Sequence, residues 1–151
     1  MGTFKTHPIQ IASIHVGKLY INVNNPMAFE DDAESYSNNF DLEVAVSDFD
    51  DVDRLIHVRL RAKIGIINGE GSDEFIDDKE SPINLMVELR GALEVNTEAF
   101  PMDKLEHFSM YNAPLLIYPY LREHVMGLTT RAGLRGLILP LFEVPPFKLQ
   151  K

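Results

Sequence analysis

The sequence predicts an α+β fold: a four-stranded antiparallel sheet of long strands, apolar on one face and packed against a long C-terminal helix. Three observations carry this. Four segments in the first two-thirds of the chain alternate apolar and polar residues with a period of two. Two of them can be joined into a hairpin whose two faces match at once. After Pro101 the apolar spacing lengthens to that of a helix.

The first strand region, about residues 9–23, is irregular. Ile9 and Ile11 lie in one phase, Ile14 and Val16 in the other, and Leu19, Ile21 and Val23 return to the first. Two phase slips in one apolar segment read as β-bulges near Ala12–Ser13 and Gly17–Lys18; two short strands joined at a kink are the alternative. A polar crossover, Asn24 to Asn39, follows, with Pro26, Met27 and Phe29 at its start. The second strand, about 40–48, places Phe40, Leu42, Val44 and Val46 on one face. The third, about 55–67, places Ile56, Val58, Leu60, Ala62, Ile64 and Ile66 there. A hairpin centred near Asp51 would set Val46 against Ile56 and Leu42 against Leu60. It would also set Glu43 against Arg59 and Asp41 against Arg61, opposite charges that support a sheet.

The loop Asn68–Pro82, rich in Gly, Asp and Glu, reads as exposed and mobile. The fourth strand, about 83–95, is the most regular. Ile83, Leu85, Val87, Leu89, Leu93 and Val95 share one face; Asn84, Glu88, Arg90 and Glu94 share the other, where Met86 marks a candidate subunit contact. At about 3.4 Å per residue this strand is roughly 40 Å long. Two helices are expected, about 102–110 and 113–132. Asn112 caps the second, Leu121, Val125 and Leu128 form its apolar side, and Gly133 ends it beside Arg131. Pro114 and Pro119 would then fall in or before the first turn. The apolar tail, Leu134 to Phe147, is broken by Pro140, Pro145 and Pro146 and is too interrupted for a long helix. One helix leaves part of such a sheet bare, so oligomerisation is expected.

Composition narrows the function. The 151 residues suit one domain with a real core. A net charge of −9, from 23 acidic and 14 basic side chains, repels nucleic acid and anionic lipid. No apolar run has the roughly 18 residues of a membrane span, and Met1 to Gln10 lack a signal-peptide core, so the cytoplasm is the expected location. With no cysteine there is no disulfide, thiolate metal site or cysteine nucleophile. His7, His15, His57, His107 and His124 lack metal-ligand spacing. The cluster Asp48, Asp50, Asp51, Asp53 lacks the central glycine and final glutamate of a calcium loop and reads as a solvated turn. Gly69-Glu70-Gly71 has no Lys or Ser/Thr at P-loop spacing, and no serine stands in a Gly-x-Ser-x-Gly setting. No catalytic residue, metal or cofactor is expected.

The C-terminal third carries a more specific string. Asn112-Ala113-Pro114-Leu115-Leu116-Ile117-Tyr118-Pro119-Tyr120-Leu121-Arg122-Glu123, followed by Thr130-Arg131-Ala132-Gly133-Leu134, resembles the main helix of the SecB family of export chaperones. Pro114, Leu116, Pro119, Tyr120, Arg122, Glu123 and Gly133 carry the likeness, and the strand order agrees over about residues 9–142. Leu134 stands where the family has an aromatic residue, and Pro140 is displaced by one position. The basic tail by which typical members contact the SecA motor is expected to be missing, which puts that partner in doubt. The resemblance implies an ATP-independent holdase for unfolded polypeptides, assembled as a homotetramer, a dimer of dimers. Dedicated protection of a single partner such as an antitoxin is the variant reading. A small-ligand or enzymatic domain using the cleft between sheet and helix is the contrasting one. By resemblance, clients would lie along Met27, Phe29, Phe40, Leu42, Leu134, Leu137 and Phe142. Phe40 and Leu42 also fit an ordinary core, whereas Met27 and Phe29, in a polar loop, are expected at the surface.

Overall fold

The computed structural model describes residues 3–69, 74–143 and 149–150; the centre of the acidic loop, with Glu70, Gly71 and Asp73, and the Pro145–Pro146 break lie outside the described residues. The elements run β1 (Ile9–Val23), α1 (Pro26–Asp31), α2 (Ala33–Asn38), β2 (Asp41–Val46), β3 (Leu55–Ile64), β4 (Ile66–Asn68), β5 (Phe75–Asp77) and β6 (Ile83–Val95). A 3-10 turn (Met102–Lys104) then leads into α3 (Leu105–Tyr111), α4 (Ala113–Arg131) and the two-residue β7 (Leu149–Gln150). Strands β1-β6-β3-β2 form an antiparallel sheet in that order, and β7 adds a short parallel pairing to β2.

Both bulges in β1 are present. The register passes from Ile11–Leu93 to Ser13–Ala92 and from Val16–Leu89 to Lys18–Glu88, so Ala12 and Gly17 are the extra residues. Each extra residue flips the phase of the strand. As a result Ile9, Ile11, Ile14, Val16, Leu19, Ile21 and Val23 all face the same side as the apolar row of β6. Gly17 also leaves room for Glu88, whose carboxylate oxygen would lie 2.3 Å from a Cβ there.

The β2–β3 hairpin has the expected faces in a register displaced by two residues. Val46 pairs with Val58, Leu42 with Ala62, Glu43 with Arg61 and Asp41 with Lys63. A displacement of two preserves which side chains face the core. It arises because the tip lies between Asp50 and Leu55, with Arg54 at φ 59 and the Asp50 carboxylate accepting from the amides of Val52 and Asp53. Asp48 and Phe49 together then stand opposite Ile56, since Ser47 already bonds to His57.

The loop after β3 departs most from expectation. Strand β3 stops at Ile64 because Gly65 turns the chain at φ +65, where a Cβ would meet the Ile83 carbonyl oxygen at 2.2 Å. Strands β4 and β5 then pair as a flap over the face of the sheet opposite α4. The Phe75 ring lies 4.9 Å from both the Arg61 guanidinium and the Lys63 ammonium, and the Tyr20 hydroxyl donates to Asp77. Asn84 pins the hinge, its amide donating to the carbonyls of Gly65 (2.6 Å) and Asp78 (2.8 Å). Under the flap, Asn84, Met86 and Glu88 are buried within this one chain, so Met86 is not the surface subunit contact the sequence suggested.

Helix α4 lies across the apolar face, burying Ile117, Leu121 and Val125. Gly91 supplies the close approach, since a Cβ there would come within 2.6 Å of the Ile117 Cδ1. Because α4 begins at Ala113, Pro114 sits in its first turn but Pro119 lies inside the helix, contrary to expectation. Lacking an N–H, Pro119 leaves the Leu115 carbonyl without its helical donor. Asn112 occupies the capping position without a side-chain cap bond. The far end closes with Gly133 at φ +85. The amides of Gly133 and Leu134 return to the carbonyls of Thr130 and Thr129, the Schellman pattern.

Candidate functional site

The polar crossover is helical rather than a loop. Asn25 accepts from the Ala28 amide at 3.1 Å and Pro26 follows it, a competent helix start. Phe29, Ala33 and Tyr36 are spaced by four and three, and although the helix breaks at Asp32 all three pack toward the core. Phe29 and Ala33 are buried, and Phe29 stacks on the half-buried Tyr36 at 5.5 Å. Phe29 is 0% exposed and therefore not at the surface as expected, while Met27, two residues earlier, is 76% exposed.

Residues 134–143 run as an extended strap between α4 and the crossover helices. The Arg135 amide donates to the Glu30 carboxylate (2.7 Å) and the Leu137 amide to the Thr129 hydroxyl (2.9 Å). The Ser37 hydroxyl donates to the Ile138 carbonyl, Arg122 Nε to that of Leu139 (2.8 Å), and the Tyr118 hydroxyl to that of Pro140 (2.6 Å). Burial pushes the Tyr118 phenol up to about 12, against the opposing pull of Arg122, so it stays a neutral donor at ordinary pH. Held this way, the strap turns Leu137 and Leu139 inward and Ile138 outward, and after Pro140 the alternation breaks so that Leu141 also points outward, Ile138 and Leu141 at 59% and 76% exposure.

The seven expected binding residues fall into three settings. Met27 and Leu134 meet across a shallow depression of about 190 Å³ rimmed by Glu30 and Asp31. Phe40, just before β2, and Phe142 face each other at 6.2 Å, with Tyr118 5.1 Å from Phe142 and the half-buried Leu42 at the start of β2. Phe29 and Leu137 lie beneath, walls rather than surface. The outward strap residues Ile138 and Leu141 were missed; alternation from Leu137 to Leu139 points to Ile138, but strict period two puts Leu141 inward, and the phase changes at Pro140. Also missed was a cleft of about 450 Å³ lined by Val46, Phe49, Met102, Leu105 and Met110. It joins the hairpin tip to α3, and no local pattern signals that meeting.

Among the described residues no group of three or more His, Asp or Glu side chains is placed to hold a metal ion, and no helix is long and apolar enough to cross a membrane. The candidate site is an apolar surface held by hydrogen bonds between surrounding side chains and the strap's backbone. A family model described as preprotein translocase subunit SecB matches residues 4–143. The chain belongs to the SecB family. Its sheet order and C-terminal helix are those of a SecB-like fold. The SecB-like chaperone Rv1957 of Mycobacterium tuberculosis, solved in complex with a ChAD peptide from the HigA1 antitoxin, superposes with a TM-score of 0.58. That alignment covers 91% of this chain and 93% of the other at 21% identity, a likeness of fold. An uncharacterised protein of Methanocaldococcus jannaschii is 35% identical over 68 residues. That match spans 45% of this chain and 43% of the relative, less than half its length.

Proposed function

We propose that this SecB-family chain is a chaperone that holds unfolded polypeptides without ATP and without covalent chemistry. The observation that carries the reading is the outward apolar strip on the crossover helices and the strap: Met27, Ile138 and Leu141, with Phe40, Phe142 and Leu42 half-buried beside them. Apolar contacts are non-directional, each contributing about 1.5–3 kcal/mol when fully buried, so such a strip grips many sequences without reading any one. The thioether of Met27 adapts to differently shaped partners. A bound client would find few directional hydrogen-bonding groups, because the strap's carbonyls at 138, 139 and 140 are already used internally.

Assembly as a homotetramer belongs to the same proposal. Strand β1 is an edge, and its core-side Ile11, Val16 and Leu19 remain exposed in the isolated chain. A second copy would cover both the open backbone and this apolar row. Cytoplasmic residence and a part in export, with or without a SecA-type ATPase, follow the family resemblance. A second reading, dedicated protection of one partner, is supported by the antitoxin peptide carried by the similar mycobacterial chaperone.

The test is a variant carrying Met27→Ser and Leu141→Ser, assayed for affinity to a labelled, reduced and unfolded protein. Both side chains project outward, so thermal stability is expected to hold while binding weakens roughly tenfold or more. Unchanged affinity would remove this strip as the client surface.

A further inference from the structure

The face of the sheet opposite α4 bears a second surface, and its side chains stand in rows across the strands. One row reads Glu43, Arg61, Glu88, Lys18, alternating in sign from β2 to β1. The adjoining row reads Ala45, Arg59, Arg90, His15. Arg59 and Arg90 are direct cross-strand neighbours, a like-charged pair that is unfavourable unless an anion sits with it. Arg90 reaches back to Glu88 at 2.9 Å. Among the described residues no carboxylate lies within ion-pair distance of Arg59. Beyond this row the small side chains of Ser13, Ser47 and Ala92 floor an open depression of about 600 Å³, with His15 and His57 also lining it. No Asp or Glu lines the depression, in a chain with 23 acidic and 14 basic side chains. Beyond the flap, no described element covers this end of the face.

We propose that this depression docks an acidic segment of another polypeptide, with its carboxylates received by Arg59 and Arg90. The Arg59 guanidinium presents a planar fork that matches a carboxylate, while Arg90, whose Nε and Nη2 already hold Glu88, adds its positive charge and the remaining Nη1 edge. Side chains at alternate positions of an extended segment share one face about 7 Å apart, wider than the roughly 4.5–5.5 Å expected between directly paired Cβ atoms, a difference that the long stems of Arg59 and Arg90 can span. The floor of small residues lets the backbone of such a segment come near, and Leu55 at one end offers an apolar contact for a neighbouring side chain. A nucleic acid fits less well. Its charge extends far past two arginines, and the protein's net charge of −9 repels it along its length. The surface lies across the sheet from the apolar strip and does not depend on it, so the two can be occupied independently.

The experiment uses the full chain and a fluorescein-labelled ten-residue peptide with Glu at alternate positions among Thr and Val, compared with the same peptide carrying Gln. Fluorescence anisotropy at low salt is expected to show binding of the Glu peptide alone, weakening as salt is added. Arg59→Gln breaks no ion pair among the described residues and relieves the repulsion from Arg90, so it is expected to leave thermal stability intact while reducing peptide affinity roughly tenfold. Arg90→Gln should reduce affinity similarly. Equal binding of the Gln peptide, or Glu-peptide binding indifferent to Arg59→Gln, would overturn the assignment. So would Arg59-dependent binding of a single-stranded oligonucleotide with the Glu peptide silent.

Discussion

Replacing Arg61 with methionine is expected to destabilise the fold by about 3–5 kcal/mol, although it removes only one side chain from the middle of the sheet. The Arg61 guanidinium bridges two acids, reaching Glu88 Oε1 at 2.5 Å and Glu43 Oε2 at 2.7 Å. Glu88 is only 5% exposed at its side chain, so an uncompensated charge there cannot be rescued by water. Arg90 and Lys63 remain on the outer oxygens of the two acids, which places the loss at the lower end of that range. The loss has a pH signature. Burial pushes the carboxyls of Glu43 and Glu88 up, but Lys63 and Arg61 around the first, and Arg61 and Arg90 around the second, outweigh it and leave both below the ordinary value. Carboxyls with depressed folded values stabilise the protein above the unfolded value of about 4.3. That stability is lost as pH falls through the folded values. Urea unfolding at pH 7 and pH 3 should therefore show a large drop for the parent protein and a smaller one for Arg61→Met, whose acids keep less of their depression. An equal drop in both would mean that Arg61 does not set these charges.

Asn84→Ala is expected to cost about 2–4 kcal/mol and to release the flap. Asn84 is 0% exposed and uses all its capacity. Its amide donates to Gly65 and Asp78, while its oxygen accepts from Asn24 at 2.8 Å and from Asn22 at 3.3 Å. Alanine would strand the two carbonyls at the hinge and free Asn24, which also holds the Ser81 carbonyl. Limited proteolysis should then cut within residues 65–82 well before the rest of the chain unfolds, and urea unfolding should register the loss. Protection of that segment matching the parent protein would show that packing of Phe75, not the Asn84 network, holds the flap.

What the sequence made legible follows from periodicity. The four long strands, their shared apolar face, both bulges of β1 and the C-terminal helix are each written in local spacing. The SecB likeness of the helix string added topology. Three features needed contacts that local spacing does not encode. The hairpin register depended on where the tip closes, and the Asp50 turn with its extra residue moved the pairing by two without altering any face. The flap was read as a loop because an acidic, glycine-containing stretch resembles one; what orders it is the pairing of Asn84, Tyr20, Arg61 and Lys63 with groups far away in sequence. The buried Met86 and Glu88 follow from the same flap. At the candidate site, Phe29 was misplaced because the crossover was read as a loop, although its spacing to Ala33 and Tyr36 is helical. The strap was recognised as apolar and unable to form a long helix, but which of its residues face outward depended on Leu137 and Leu139 filling the space beside α4.

The most direct test of the chaperone reading is light scattering from a chemically unfolded, aggregation-prone enzyme diluted into buffer with the purified protein and no ATP. The account predicts that scattering is suppressed near one chaperone oligomer per client, with the same result when nucleotide is added. Undiminished aggregation at a several-fold excess of the protein would contradict a general holdase.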